Sequence, residues 1–273
     1  MSALPTSASA IAQSEATTSL SARSASKWRG LVVPTIAIIL WWLGSRSGLF
    51  NSALLVPPAK VLDTAIEQFS SGQIWSALGA SLARELTGFA IGTSFGLILG
   101  CLLGFSQLFN RMVGPSFNTF KQISLFAWVP LISVWFGLGD VAKVVFLSLA
   151  ALVPVVVNTC DGIRSAPASL LEVARVYRYT RWQTIRCVIL PAALPSIFTG
   201  IYLALIYSWL ATIGAEYLLV AGQGIGNTLI EGSEHFRMDL VLFGMVVIGL
   251  VGWSMNALAR IAERSFARGR GHQ

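Results

Sequence analysis

The apolar residues of this chain fall in unbroken blocks long enough to cross a bilayer, and no other feature narrows the possible folds as far. A helical crossing needs about 17 to 25 mostly apolar residues. Six such blocks can be read: Trp28 to Leu43, Leu86 to Phe105, Phe117 to Leu138, Val144 to Cys160, Ala192 to Gly214 and Leu240 to Leu258. The first is short, and the third carries Lys121 and Pro130. Hydrophobic residues make up 55% of the chain and charged residues 11%, against about 25% charged in soluble domains. A water-soluble fold could not hide that much apolar surface, so the expected class is an all-α polytopic membrane protein of about six transmembrane helices.

Residues 1–27 are rich in Ser, Ala and Thr and show no apolar periodicity. They are expected to form a disordered cytoplasmic tail, followed by a transmembrane domain over 28–263 and a basic cytoplasmic tail over 264–273. A secretory signal would place its apolar stretch earlier and end it at small residues, whereas this one ends at Trp41, Trp42 and Leu43, so an uncleaved first helix fits better. A transit peptide is the alternative for the Ser-rich tail. Between the first two blocks, Pro57-Pro58 and the acids Asp63 and Glu67 mark an external loop with a short surface helix.

Orientation follows from where Lys and Arg flank the blocks. With the N-terminus inside, thirteen of the nineteen basic residues lie on the internal side: Arg111, and clusters around Lys27, between Arg164 and Arg186, and from Arg260 onward. Both termini are therefore expected in the cytoplasm. The basic residues form no face interleaved with aromatics, which argues against nucleic-acid binding. The odd set of Cys101, Cys160 and Cys187 argues against disulfides. Because His235 and His272 both lie outside the apolar blocks, neither a buried metal site nor an intramembrane protease centre is expected.

The second block carries Gly88, Gly92, Gly96, Gly100 and Gly104. A four-residue spacing puts all five on one helix face, where small residues let backbones approach closely. Packing within one subunit is the simpler reading and a subunit interface the alternative. Lys121, Lys143 and Glu216 lie near block ends. Snorkelling to the interface is expected for Lys143 and Glu216, whereas Lys121, with Trp128 and Trp135, is a candidate lining of a route for an anion.

The longest internal segment, 161–191, reads DGIRSAPASLLEVARVYRYTRWQTIRCVILP. Ser165 to Ser169 supplies a helix start with proline in the first turn, and Leu170, Leu171, Ala174 and Val176-Tyr177 follow at helical spacing. Periodicity alone leaves a helix lying on the inner membrane surface as an alternative. Within this segment Glu172-Val173-Ala174, followed at a distance by Val188-Ile189-Leu190-Pro191, resembles the EAA motif of permeases in ATP-binding-cassette importers. The motif's glycine falls at position 178, where this chain has Arg178. If that glycine serves a positive-φ turn, arginine is unfavourable there by roughly 1 kcal/mol, and a turn of different shape is expected. Further blocks, LVPPAKVL at 55–62, 75–104, FAWVPLISVWFGLG at 126–139, and 190–216, resemble the sulfonate, taurine and nitrate branch of these permeases.

The resemblance implies a MetI-like permease fold whose cytoplasmic coupling helix answers to a separate ATPase. Glu172, Val173, Ala174, Arg175, Val176, Tyr177 and Arg178 would enter a cleft on that ATPase, and Leu190-Pro191 would set the angle at which the helix joins the fifth span. It also implies two ATPase subunits, an extracytoplasmic binding protein, and a second copy of this chain, with no cofactor bound by the chain itself. No G-x-x-x-x-G-K-[ST] loop is present, and Gly222-Gln223-Gly224-Ile225-Gly226 reads as an external turn. The implied cargo is a small anion such as an aliphatic sulfonate, taurine or nitrate, with a thiamine-precursor-like substrate as the alternative. From another class, a channel or secondary transporter would work without ATP, and would leave the basic helix-forming segment unexplained.

Overall fold

The computed structural model describes residues 32, 33, 35–47 and 55–268. The expected tail over 1–27, the start of the first expected span and residues 269–273 lie outside these. The chain divides into two units, 1–63 and 64–273. In the first, α1 (Thr35–Arg46) is apolar but shorter than a crossing requires, and the Trp41 indole donates to the Val56 carbonyl at 3.0 Å. Helix α2 (Pro58–Ser70) begins on the proline pair, whose fixed φ suits a first turn.

The second unit is built on three long helices: α3 (Gln73–Phe105), α6 (Asp140–Arg164) and α9 (Leu190–Leu218). Helix α6 packs along both of the others. Its contact with α3 is made at the five glycines. A Cβ added at Gly88 would come within 2.6 Å of Leu147, at Gly96 within 2.8 Å of Val155, at Gly100 within 2.7 Å of Thr159 and at Gly104 within 2.9 Å of Ile163. At Gly92 it would collide with the Ser148 carbonyl. Residue numbers rise together along this seam, so α3 and α6 are parallel. Gly162 meets Ser196 and Gly200 meets Asn158, so α9 is antiparallel to α6.

A parallel α3–α6 pair requires the chain between them to recross the full height. Helices α4 (Gln107–Phe120) and α5 (Val129–Phe136) do this, joined by a 3₁₀ turn over Leu125–Trp128 and bent by 93°. The continuous span expected over 117–138 is thus one broken crossing. Phe120 and Trp128 touch across the break with ring centroids 5.2 Å apart. Among the described residues four helices are long and apolar enough to cross a membrane, and the bent pair makes five, where the sequence suggests six.

Helix α11 (Met238–Arg268) returns alongside α9, where the Tyr202 hydroxyl donates to Asn256 at 2.6 Å and Trp209 covers Gly252. At the opposite end from Arg164, the short α10 (Ile225–Glu234) packs on the start of α11. Thr64 donates to the buried Asp239 at 2.7 Å there.

Candidate functional site

Two helix ends and one cavity carry the chemistry. At the Arg164 end, α6 stops and α7 (Ala168–Val176) follows after Pro167. Glu172, Val173, Ala174, Arg175 and Val176 lie on this helix. Ala174 is buried against the body of the chain, so it does not share the outward face expected for it. Val173, Val176 and Tyr177 are 52%, 81% and 73% exposed, an apolar surface left open by the described residues. Leu170, Val173, Ala174 and Tyr177 form one wall of a groove whose other wall includes Val188 and Pro191. Leu190 lies beside it in the chain, partly exposed.

The α7 turn keeps the shape that glycine favours in spite of Arg178. Arg178 has φ +52°, its N–H bonds the Arg175 carbonyl, and the Tyr179 N–H bonds the Ala174 carbonyl. Those two bonds around a left-handed residue are the Schellman termination of a helix, so the expected change of turn shape does not occur. Thr180 and Gln183 then form a capping box that starts α8 (Arg181–Thr184). The helix widens into a π turn over Ile185–Ile189 just before Pro191. A proline ring collides with the carbonyl four residues earlier in a regular α-helix, and the wider turn makes room. Pro191 and Pro195 therefore do not terminate the helix, which runs on from Arg181 to Leu218.

At the other end a cluster of charges is buried. Glu216 is 0% exposed and its carboxylate accepts from Arg84 Nη2 at 2.5 Å, Ser81 Oγ at 2.6 Å and the Gly226 N–H at 2.7 Å. Arg84 also donates to Asp140 at 2.8 Å and to the Gln223 carbonyl at 2.6 Å. Lys143, likewise 0% exposed, donates to the Ala221 carbonyl at 2.7 Å. Lys143 and Glu216 thus do not snorkel: they face inward and fasten the 219–224 connection to α3, α6 and α9. The glycine run is shaped by that fastening. Gly222 has φ +96°, and a Cβ on Gly224 would collide with the Glu216 carboxylate. A turn was legible in the sequence, but its partner in Glu216 was not. Next to the cluster, fully buried Glu85 accepts from Ser208 at 2.8 Å, joining α3 to α9.

The cavity lies where the broken crossing meets α6 and α9. It has a volume of about 430 Å³, and Lys121 and Trp128 both line it. Trp135 does not line it; it lies on α5 and is 66% exposed. Non-helical backbone at membrane depth is tolerated where it lines such a space, and residues 121–124 of the break do so through Lys121 and Ile123.

Residues 92–271 match the family model described as "Binding-protein-dependent transport system inner membrane component". The chain belongs to this family. As an importer permease it is an inner-membrane transport subunit, and ATP hydrolysis belongs to a partner subunit. It is similar to an aliphatic sulfonates transport permease, SsuC, of Bacillus subtilis, 34% identical over 89% of this chain and 87% of that one. The taurine transport permease TauC of Escherichia coli is 29% identical over 87% of this chain and 91% of its own length. The bicarbonate transport permease CmpB of Synechococcus elongatus is 30% identical over 89% and 93%. Among solved structures, an inward-facing form of the methionine transporter MetNI matches with TM-score 0.61 at 20% identity, covering 71% of this permease and 95% of that chain. At that identity the likeness carries the fold.

Proposed function

We propose that this permease imports a small aliphatic sulfonate, taurine included, and that α7 is the element through which its ATPase drives it. The supporting observation is the outward face of α7, where Val173, Val176 and Tyr177 are exposed beside Glu172, one turn before the Arg181–Leu218 helix that includes the α9 crossing. An apolar patch flanked by one acid suits a protein cleft, and the Arg181–Leu218 helix would carry its displacement across the membrane. In this reading α7, Arg178, Leu190-Pro191 and both chain ends are cytoplasmic, α10 faces an extracytoplasmic binding protein, and two copies of the chain pair with two ATPase subunits. The sulfonate cargo is supported by the names of the Bacillus and Escherichia relatives.

Glu172→Lys tests the coupling. The variant is expected to insert and fold normally while uptake of labelled ethanesulfonate by cells or proteoliposomes falls at least tenfold and the ATPase loses its stimulation by the binding protein. Uptake at the wild-type rate sinks the coupling role. Bicarbonate uptake in place of ethanesulfonate by the wild-type complex reassigns the cargo.

A further inference from the structure

The cavity at the broken crossing has a composition that selects among anions. Most of its walls are apolar, with Leu149, Val153 and Leu203 from α6 and α9 facing Leu125 and Trp128 of the break. Four side chains can donate hydrogen bonds: Lys121, Asn158, Tyr207 and the Trp128 indole. Lys121 makes no ion pair among the described residues. Asn158 spends one amide N–H on the Pro154 carbonyl at 2.8 Å, which fixes its rotamer and leaves a second N–H to give. Lys121 is exposed and lines the cavity, so its ammonium is free to meet an anion that enters.

A bare oxyanion would surrender its hydration to such walls and receive few donors in return. An anion with a hydrocarbon body gains from the same walls. We propose that this cavity is an intramembrane subsite of the translocation path for organic anions with an apolar body, the headgroup held by Lys121, Asn158 and Tyr207 and the hydrocarbon lying against Leu149, Val153 and Leu203. The inference rests on the chain being an importer permease, and it narrows the cargo toward sulfonates with a carbon chain and away from nitrate or bicarbonate.

The test is calorimetric titration of the full chain, purified with its ATPase partner in detergent, against ethane-, butane- and hexanesulfonate, with nitrate, bicarbonate and hexanol as comparators. Binding is expected to tighten about fourfold per added methylene, the factor that corresponds to burying one CH₂. Nitrate, bicarbonate and hexanol are expected to bind at least tenfold more weakly than hexanesulfonate. Lys121→Met is expected to weaken hexanesulfonate binding about tenfold to hundredfold, the range for losing a hydrogen bond from a charged group. Lys121→Arg is expected to retain most of it, and Asn158→Asp to abolish it by setting a carboxylate in the recess. Equal binding of nitrate and hexanesulfonate overturns the proposal. So does a chain-length dependence that Lys121→Met and Asn158→Asp leave unchanged, which would be detergent-like partitioning. Ethanesulfonate uptake at the wild-type rate by both variants overturns the subsite and leaves the transport reading standing.

Discussion

Replacing Glu216 by Gln removes one charge from a buried cluster, together with one of the two oxygens that accept hydrogen bonds there. The side chain keeps its volume, and with its amide oxygen at the Oε1 position it can still accept from Ser81, now bonded at 2.6 Å, while its NH₂ group replaces the oxygen that accepts from the Gly226 N–H at 2.7 Å. What disappears is the counter-charge 2.5 Å from Arg84, whose side chain is 7% exposed. Lys143 is buried in the same place, and Asp140, 65% exposed at its side chain, then remains as the one acid bonded to Arg84. Breaking a buried pair from one side costs about 3–5 kcal/mol. Native stabilities of about 5–15 kcal/mol make that a large fraction. At about 2–4 °C per kcal/mol, the melting point is expected to fall by roughly 6–20 °C. Intrinsic tryptophan fluorescence of the detergent-solubilised protein reads this, and limited proteolysis reports whether the 219–224 connection has come loose. The double variant Arg84→Met with Glu216→Leu leaves Lys143 and Asp140 in balance, and is expected to melt above Glu216→Gln. A Glu216→Gln protein that melts within 2 °C of wild type, about 1 kcal/mol or less, with its connection equally resistant, refutes the argument that charge holds this end together.

Three other expectations can be checked by the same melting assay. Arg178→Gly relieves a left-handed residue at φ +52° and is expected to raise stability by about 1 kcal/mol; a lower melting point would mean that the arginine side chain stabilises the turn by more than its backbone costs. Gly92→Ala forces a methyl onto the Ser148 carbonyl of α6 and is expected to cost about 1–3 kcal/mol. Gly79→Ala, on the same helix with no atom within 4 Å of the added carbon, is expected to be stabilising by up to about 1 kcal/mol, so equal effects of the two would contradict the packing of α3 on α6.

What could be read in advance divides along physical lines. The helical class was legible because blocks such as Leu86–Phe105 and Ala192–Gly214 report their solvent directly. The glycine spacing on α3 was legible because a period of four needs no knowledge of the partner. The broken crossing was not, since 117–138 stays apolar through a bend of 93°; what betrays the bend is that α3 and α6 run parallel, a relation between distant segments. The burial of Lys143 and Glu216 escaped for a similar reason. Either residue alone near a block end reads as reaching for the interface, and Arg84, 132 positions before Glu216, supplies the partner that reverses the reading. Arg178 was identified as a departure, but its backbone angle depends on the two hydrogen bonds that close the turn around it.

The seam between α3 and α6 limits how the molecule can change shape. From Gly88 to Gly104 the two backbones are in contact over about 24 Å, with no side chain on the α3 side to give way. Turning α3 about its axis would swing the side chains that flank the glycines onto α6, so the two helices must turn as a single unit. Any alternation between outward and inward openings then has to be taken up elsewhere: at the elbow between α4 and α5, or at the widened turn over Ile185–Ile189.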